Sequence, residues 1–134
     1  MSLFERVKEA PRTYIIGNGG SYANAVHICN DLLSVGVRAF TLDPATLTAS
    51  ANDYGYETVF ARWLSVVGER GDLLIALSGS GKSANILKAC EEAERIGMYV
   101  HREFGIGKGF DMQAAEEYQV FLGHELMRAL RDRS

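Results

Sequence analysis

Hydrophobic positions along this chain fall into two alternating kinds of run. Short apolar-rich blocks occur at 13–16 (TYII), 38–42 (RAFTL) and 72–77 (DLLIAL), and a fourth begins at 98–100 (MYV). They are too short for helices and read as buried strands. Longer stretches lie between them, in which positions repeat every three or four residues. The stretch 21–33 does so through Ala23, Val26, His27, Asn30 and Leu33, and 57–67, 82–96 and 112–131 have the same helical character. Shorter helices are expected over about 3–10 and at 45–50, with a loop at 52–56. Gly17-Asn18-Gly19-Gly20 ends the first strand, and Gly97 stops the 82–96 helix. Strand alternating with helix predicts parallel β/α units.

The last helix carries more apolar surface than one sheet face needs, through Tyr118, Val120, Phe121, Leu122, Leu126, Met127 and Leu130. The surplus predicts that another subunit covers it.

A chain of 134 residues reads as one domain, and its 47% hydrophobic and 23% charged residues are those of a soluble globular protein. A net charge of −3 gives no electrostatic reason to bind nucleic acid. Cys29 and Cys90 are far apart and form no C-x-x-C pair, so both are expected as buried thiols in a reducing compartment. The segment MSLFERVKEAP has no apolar core of a secretion signal, and no run reaches the ~18 apolar residues of a membrane span. A cytoplasmic protein is expected.

Two strand ends lead into turns rich in glycine and serine, GNGGS at 17–21 and SGSGKS at 78–83. Ligands of open parallel sheets gather at such strand ends. Glycine lets the backbone approach an anion closely, and a helix N-terminus offers free N–H groups and a positive dipole end. Asn18, Gly19, Gly20 and Ser21 in the first turn, and Ser78, Ser80 and Ser83 in the second, are therefore candidate anion-binding residues. Turn formation and helix capping alone would also use these residue types. The second turn ends like a nucleotide-binding P-loop, but Ala76 stands where that loop needs its first glycine, inside a strand. A P-loop is not expected, and Lys82 is read as an incidental surface residue.

His27 and Asp31 are four apart and share one face of the helix that starts at GNGGS. Glu116, Glu117 and His124 lie on the last helix. Two histidines with carboxylates can hold a divalent metal or form an acid/base pair beside a carbonyl. Surface carboxylates with partly buried histidines would have the same spacing.

IIGNGGSYANAVH at 15–27, LTASANDYGYETVFAR at 47–62, GDLLIALSGSGKSANILKA at 71–89 and GHEL at 123–126 together resemble the SIS (sugar isomerase) domain, within it the phosphoheptose isomerase branch. The resemblance runs from about residue 12 to residue 130. It implies a single domain over 1–134, a three-layer α/β sandwich with a parallel, flavodoxin-like sheet of four or five strands. It also implies a homotetramer with active sites between subunits, and conversion of sedoheptulose 7-phosphate to D-glycero-D-manno-heptose 7-phosphate through an enediol. Ser21, Ser78, Ser80 and Ser83 then hold the phosphate, with Asn52 and Asp53 near the sugar. Asp31 and His124 carry protons, and His27, Asp31, Glu116 and His124 form a site for a divalent metal, zinc in some family members.

Two positions depart from the family pattern. Asp31 stands for a glutamate and is one methylene shorter, a difference that a closer backbone would compensate. Glu116 stands for a glutamine ligand. The chain is also shorter than the pattern in its N-terminal helix and between 101 and 113, where a fifth strand has little room, so a dimer is an alternative to the tetramer. The competing reading is a non-catalytic SIS module that binds a sugar phosphate or a protein partner as a regulator.

Overall fold

The computed structural model describes residues 1–132. Six helices, α1 (Leu3–Glu9), α2 (Gly20–Ser34), α3 (Pro44–Tyr54), α4 (Val59–Val67), α5 (Ala84–Ile96) and α6 (Met112–Asp132), alternate with four strands, β1 (Thr13–Ile16), β2 (Ala39–Phe40), β3 (Leu73–Ser78) and β4 (Tyr99–Phe104). The strands form one parallel sheet in the order β2-β1-β3-β4. Strand order therefore reverses between β1 and β3, which opens a crevice at their carboxyl ends.

Two cores fill the two faces. Tyr14, Ile16, Leu74 and Ala76 pack with Phe60, Leu64, Ile86 and Cys90, which places α4 and α5 on one side. Ile15, Leu73, Ile75 and Leu77 pack with Val7, Ile28, Leu32, Leu126 and Leu130, which places α1, α2 and α6 on the other. This is the expected three-layer α/β sandwich, with four strands among the described residues. Both cysteines are free and buried, and no described helix is long and apolar enough to cross a membrane.

Three boundaries differ from the sequence pattern. β2 pairs over two residues where five were expected. Beyond them the Thr41 hydroxyl donates to the Ile15 carbonyl (2.7 Å), and Asp43 then caps α3 by accepting from Thr46 N–H (2.9 Å), with Pro44 in its first turn. The cap and the proline carry the chain into a helix before the sheet can claim more of it. α3 runs through Asn52, Asp53 and Tyr54, which were expected in a loop, and stops where Gly55 turns to φ 94°. β4 is longer than its apolar start suggested because all six of its residues pair with β3, including the polar His101, Arg102 and Glu103.

The buried stripe of α6 is Ala115, Gln119, Gly123, Leu126 and Leu130. Phe121, on the surplus apolar face, is 55% exposed.

Candidate active site at the sheet switch point

The turns after β1 and β3 meet at the crevice. Asn18, Ser21, Ser78, Gly79, Ser80 and Ser83, with Leu77 and Met112, line a cavity of about 70 Å³. Gly19 enters α2 at φ 56°, a conformation that favours glycine. The N-terminus of α2 has no side-chain cap, and neither does that of α5. By contrast, Ser2 caps α1, Asp43 caps α3, and Asp111 accepts from Ala114 N–H at the start of α6 (2.8 Å). (α4 also lacks a side-chain cap, but it continues a 3-10 turn, Tyr56–Thr58.) Two uncapped helix starts thus point at one small polar cavity, an arrangement suited to a bound anion.

The serines have distinct roles there. Ser78 Oγ accepts from Gly81 N–H (2.9 Å) and Ser80 Oγ accepts from Lys82 N–H (3.1 Å). Each hydroxyl keeps its own proton to donate, whereas those two N–H groups are already taken. Ser83 stands at the α5 start with no capping bond. Ser21 is buried and accepts from Gln119 Nε2 (3.0 Å). Lys82 is exposed, and its own N–H is used inside the turn, unlike the free cradle of a P-loop.

Sequence reasoning passed over three polar residues that hold this cavity in shape. Gln119 is 1% exposed and bridges Ser21 and Asn24, whose Nδ2 donates to Gln119 Oε1 (2.9 Å). Asn85, also buried, exchanges hydrogen bonds with Asn18 (2.8 and 3.0 Å), and the Tyr56 hydroxyl donates to Asn18 Oδ1 (2.5 Å). A lone glutamine on the apolar stripe of α6 was the available signal for the first. Asn85 and Tyr56 carried none.

Further along α2, His27 and Asp31 meet His124 of α6. His27 Nε2 lies 3.2 Å from Asp31 Oδ2 and 3.2 Å from His124 Nε2, and His124 Nε2 lies 3.6 Å from Asp31 Oδ2. Asp31 Oδ2 is buried and makes no well-formed hydrogen bond. Ligand atoms around a tetrahedral ion with bonds near 2.05 Å stand about 3.3 Å apart. The three atoms have that spacing, so the donor set fits a zinc-sized ion with a fourth position left over. His27 and His124 are half exposed while the Asp31 side chain is 13% exposed, so one side of the cluster is open.

Glu116 is not brought into this cluster. It lies eight residues before His124 on α6, roughly 12 Å along the axis. Its carboxylate instead rests on the α2 start, where a side chain at Gly20 would collide with it. Asn52 and Asp53 lie exposed on the last turn of α3. Asp53 lines a separate groove with Tyr54, Arg62 and Trp63 that shares no residue with the serine cavity.

Fold and site together define a doubly wound α/β domain with a small polar cavity at its switch point and a His₂Asp cluster two turns away. The chain belongs to the SIS domain family, whose model matches residues 2–101. It is 41% identical over 120 residues to a phosphoheptose isomerase of Akkermansia muciniphila, which covers 84% of this chain and 64% of that protein. The chain thus spans less than two thirds of that relative's length. Among solved structures it resembles a phosphoheptose isomerase from Neisseria gonorrhoeae (TM-score 0.85, 24% identity, covering 97% of this chain and 81% of that one). It also resembles one from Francisella tularensis (TM-score 0.80, 27% identity, 92% and 76%).

Proposed function

We propose that this chain is a metal-assisted sugar-phosphate isomerase that interconverts sedoheptulose 7-phosphate and D-glycero-D-manno-heptose 7-phosphate. The supporting observation is the distance between the two halves of the site. Ser21 and His27 are six residues apart on α2, roughly 9 Å along the axis. An extended seven-carbon chain measures roughly 7–8 Å from C1 to C7. A phosphate seated on Ser21, Ser78, Ser80 and Ser83 therefore leaves C1 and C2 beside Asp31 and His124. The cavity at the switch point is small enough to take the phosphate group alone, so the carbon chain lies along the open side of α2 and α6, with Asn18, Gly19 and Gly20 at its phosphate end.

In this reading Asp31 removes a proton from C1 of the ketose while the C2 oxygen is protonated, giving an enediol. The proton of the C1 hydroxyl is then lost and C2 is protonated from the same face, giving the aldose. His124 hands protons to and from the two oxygens through Nδ1, the ring nitrogen that its place in the cluster through Nε2 leaves free. His27, Asp31 and His124 would hold a divalent ion, most simply zinc, whose contribution is to polarise the carbonyl and stabilise developing negative charge. Glu116, its carboxylate over Gly20, stands at the serine end of the site, close enough to the α2 start to meet the sugar. Asn52 and Asp53 would reach substrate across a subunit boundary, in a cytoplasmic homo-oligomer of the single domain 1–134.

The test is incubation of the metal-free chain with sedoheptulose 7-phosphate and graded zinc, with the aldose product followed by NMR. Product that rises to saturation at one zinc per site and disappears in Asp31→Asn is expected. Stoichiometric sugar-phosphate binding with no product at any zinc level would overturn the isomerase in favour of a binding module.

A further inference from the structure

β4 ends the sheet, and its outer side carries no strand among the described residues. Tyr99 N–H donates inward to the Asp72 carbonyl (2.9 Å), and the ladder continues in register to Ser78 and Phe104. In a parallel ladder alternate residues bond to the same neighbour. The backbone groups of Val100, Arg102 and Phe104 therefore face outward along an unbroken run without proline or bulge. Edges of this kind are usually guarded by free charge. Here the charges are already engaged within the chain. Arg102 pairs with Glu94, and the buried Glu103 pairs with His101 (3.0 Å) and Lys108 (2.9 Å). What remains unpartnered on this edge is its row of backbone donors and acceptors.

We infer that the β4 edge pairs antiparallel with β4 of a second copy of this chain, in the register that sets Arg102 opposite Arg102. The sequence of the strand selects that register. With Arg102 at the centre, Val100 faces Phe104 twice and Arg102 faces itself, giving about six inter-chain hydrogen bonds from the outward groups. His101 and Glu103 then stand opposite each other on both sides of the axis, each still held in the pair its own strand makes, and Val100 with Phe104 makes an apolar pairing. Centring on His101 or Glu103 leaves about four bonds and sets Arg102 against Val100 or Phe104. The two central arginines are each paired with their own Glu94, which offsets the like-charge contact within each copy. The result is one continuous sheet running through both copies, with both crevices free. This pairing is independent of the reaction proposed above.

Cysteine cross-linking tests both the surface and the register. In the centred register the two Arg102 Cα atoms stand about 5.5 Å apart, within disulfide range, while the two Tyr99 positions are roughly 20 Å apart. Cys90 interacts with Arg102, so Arg102→Cys and Tyr99→Cys are made on a Cys90→Ala background, which removes an internal disulfide as a competing product. Under mild oxidation Arg102→Cys is expected to give a covalent dimer at least ten times faster than Tyr99→Cys. The unmodified chain is expected to sediment as a dimer or a larger even-numbered assembly at about 0.1 mM, and Arg102→Pro, which deletes the central donor, is expected to shift it toward smaller species. Equal cross-linking rates for the two cysteine variants, or a dimer that Arg102→Cys never traps, would overturn the proposal. The cross-linking comparison decides it even where Arg102→Pro fails to fold.

Discussion

Gly123 controls whether His27, Asp31 and His124 can meet, because it sets how closely α6 approaches α2. It precedes His124 and lies on the buried stripe of α6. A methyl group placed there would lie 2.6 Å from Ile28 Cγ1 and 3.3 Å from its Cδ1, where carbon atoms ordinarily stand about 3.5–4.0 Å apart. Ile28 is 2% exposed and packed in the core beneath α2, so it cannot swing aside. Gly123→Ala therefore forces the two helices roughly 1 Å apart, with an overpacking cost of about 1–3 kcal/mol. His27 and Asp31 are on one helix and His124 on the other, so the two inter-helix edges of the donor triangle, now 3.2 and 3.6 Å, open by a similar amount. Two ligands bonded to one ion at about 2.05 Å cannot be more than about 4.1 Å apart, and the widened edges exceed this. The expected outcome is a melting temperature lower by roughly 4–12 °C and zinc affinity reduced at least ~10-fold, read by urea or thermal melts and by competition with a chromophoric chelator. On an Ile28→Ala background the same substitution should cost less than about 1 kcal/mol, because the clashing atoms are gone. Unchanged zinc affinity and a melting temperature within about 1 °C of the parent would refute the reasoning.

Two further outcomes follow from the same structure. Burial pushes the Glu103 carboxyl up, but hydrogen bonds and charges from His101 and Lys108 outweigh it and hold the group below the usual carboxylate range. A depressed carboxylate contributes stability that is full above its unfolded value, near 4.3, and fades as pH falls through the folded one. Glu103→Gln should thus flatten the loss of stability below about pH 4.3 in a pH series of denaturant melts; an acid limb as steep as the parent's would show that the pairs carry no such linkage. Inorganic phosphate, titrated by calorimetry, should bind several-fold more weakly to Ser83→Ala and about equally to Lys82→Ala, since Ser83 lines the cavity and Lys82 does not. Loss of binding in Lys82→Ala alone would restore the P-loop reading.

The layered fold was legible because consecutive apolar residues in β1 and β3 mark strands buried on both faces, and these are the central strands of the sheet. What escaped the pattern lies at the edges. β4 is half polar, and the outer side of the strand makes no demand for apolar residues. α3 buries none of its residues completely, so the pattern marks a helix only at 45–50 and reads Asn52, Asp53 and Tyr54 as loop, whereas the helix runs on to Gly55. Polar residues within packing stripes were illegible for the opposite reason. Gln119 occupies a position that periodicity assigns to the core, and its bonds to Ser21 and Asn24 appear only when α6 is laid against α2.

The cluster itself shows how sequence and packing divide the work. The spacing of His27 and Asp31 placed both on one face of α2, and that much needed no coordinates. An aspartate has one methylene less than the glutamate of the family pattern, so the shorter arm reaches His124 only if the backbone of α6 comes closer. Gly123 against Ile28 supplies that approach: no side chain larger than hydrogen fits between them at the present separation. The short acid and the glycine belong to one arrangement although 92 positions in the chain separate Asp31 from Gly123, and neither is interpretable alone. A glutamate at 31 with α6 held at this distance would push its carboxylate past the line between the two Nε2 atoms. Asp31→Glu should therefore weaken zinc binding in the parent chain and weaken it less in Gly123→Ala, where the helices stand farther apart. Additive losses in the double variant, measured by the same chelator competition, would mean that arm length and helix separation are not coupled.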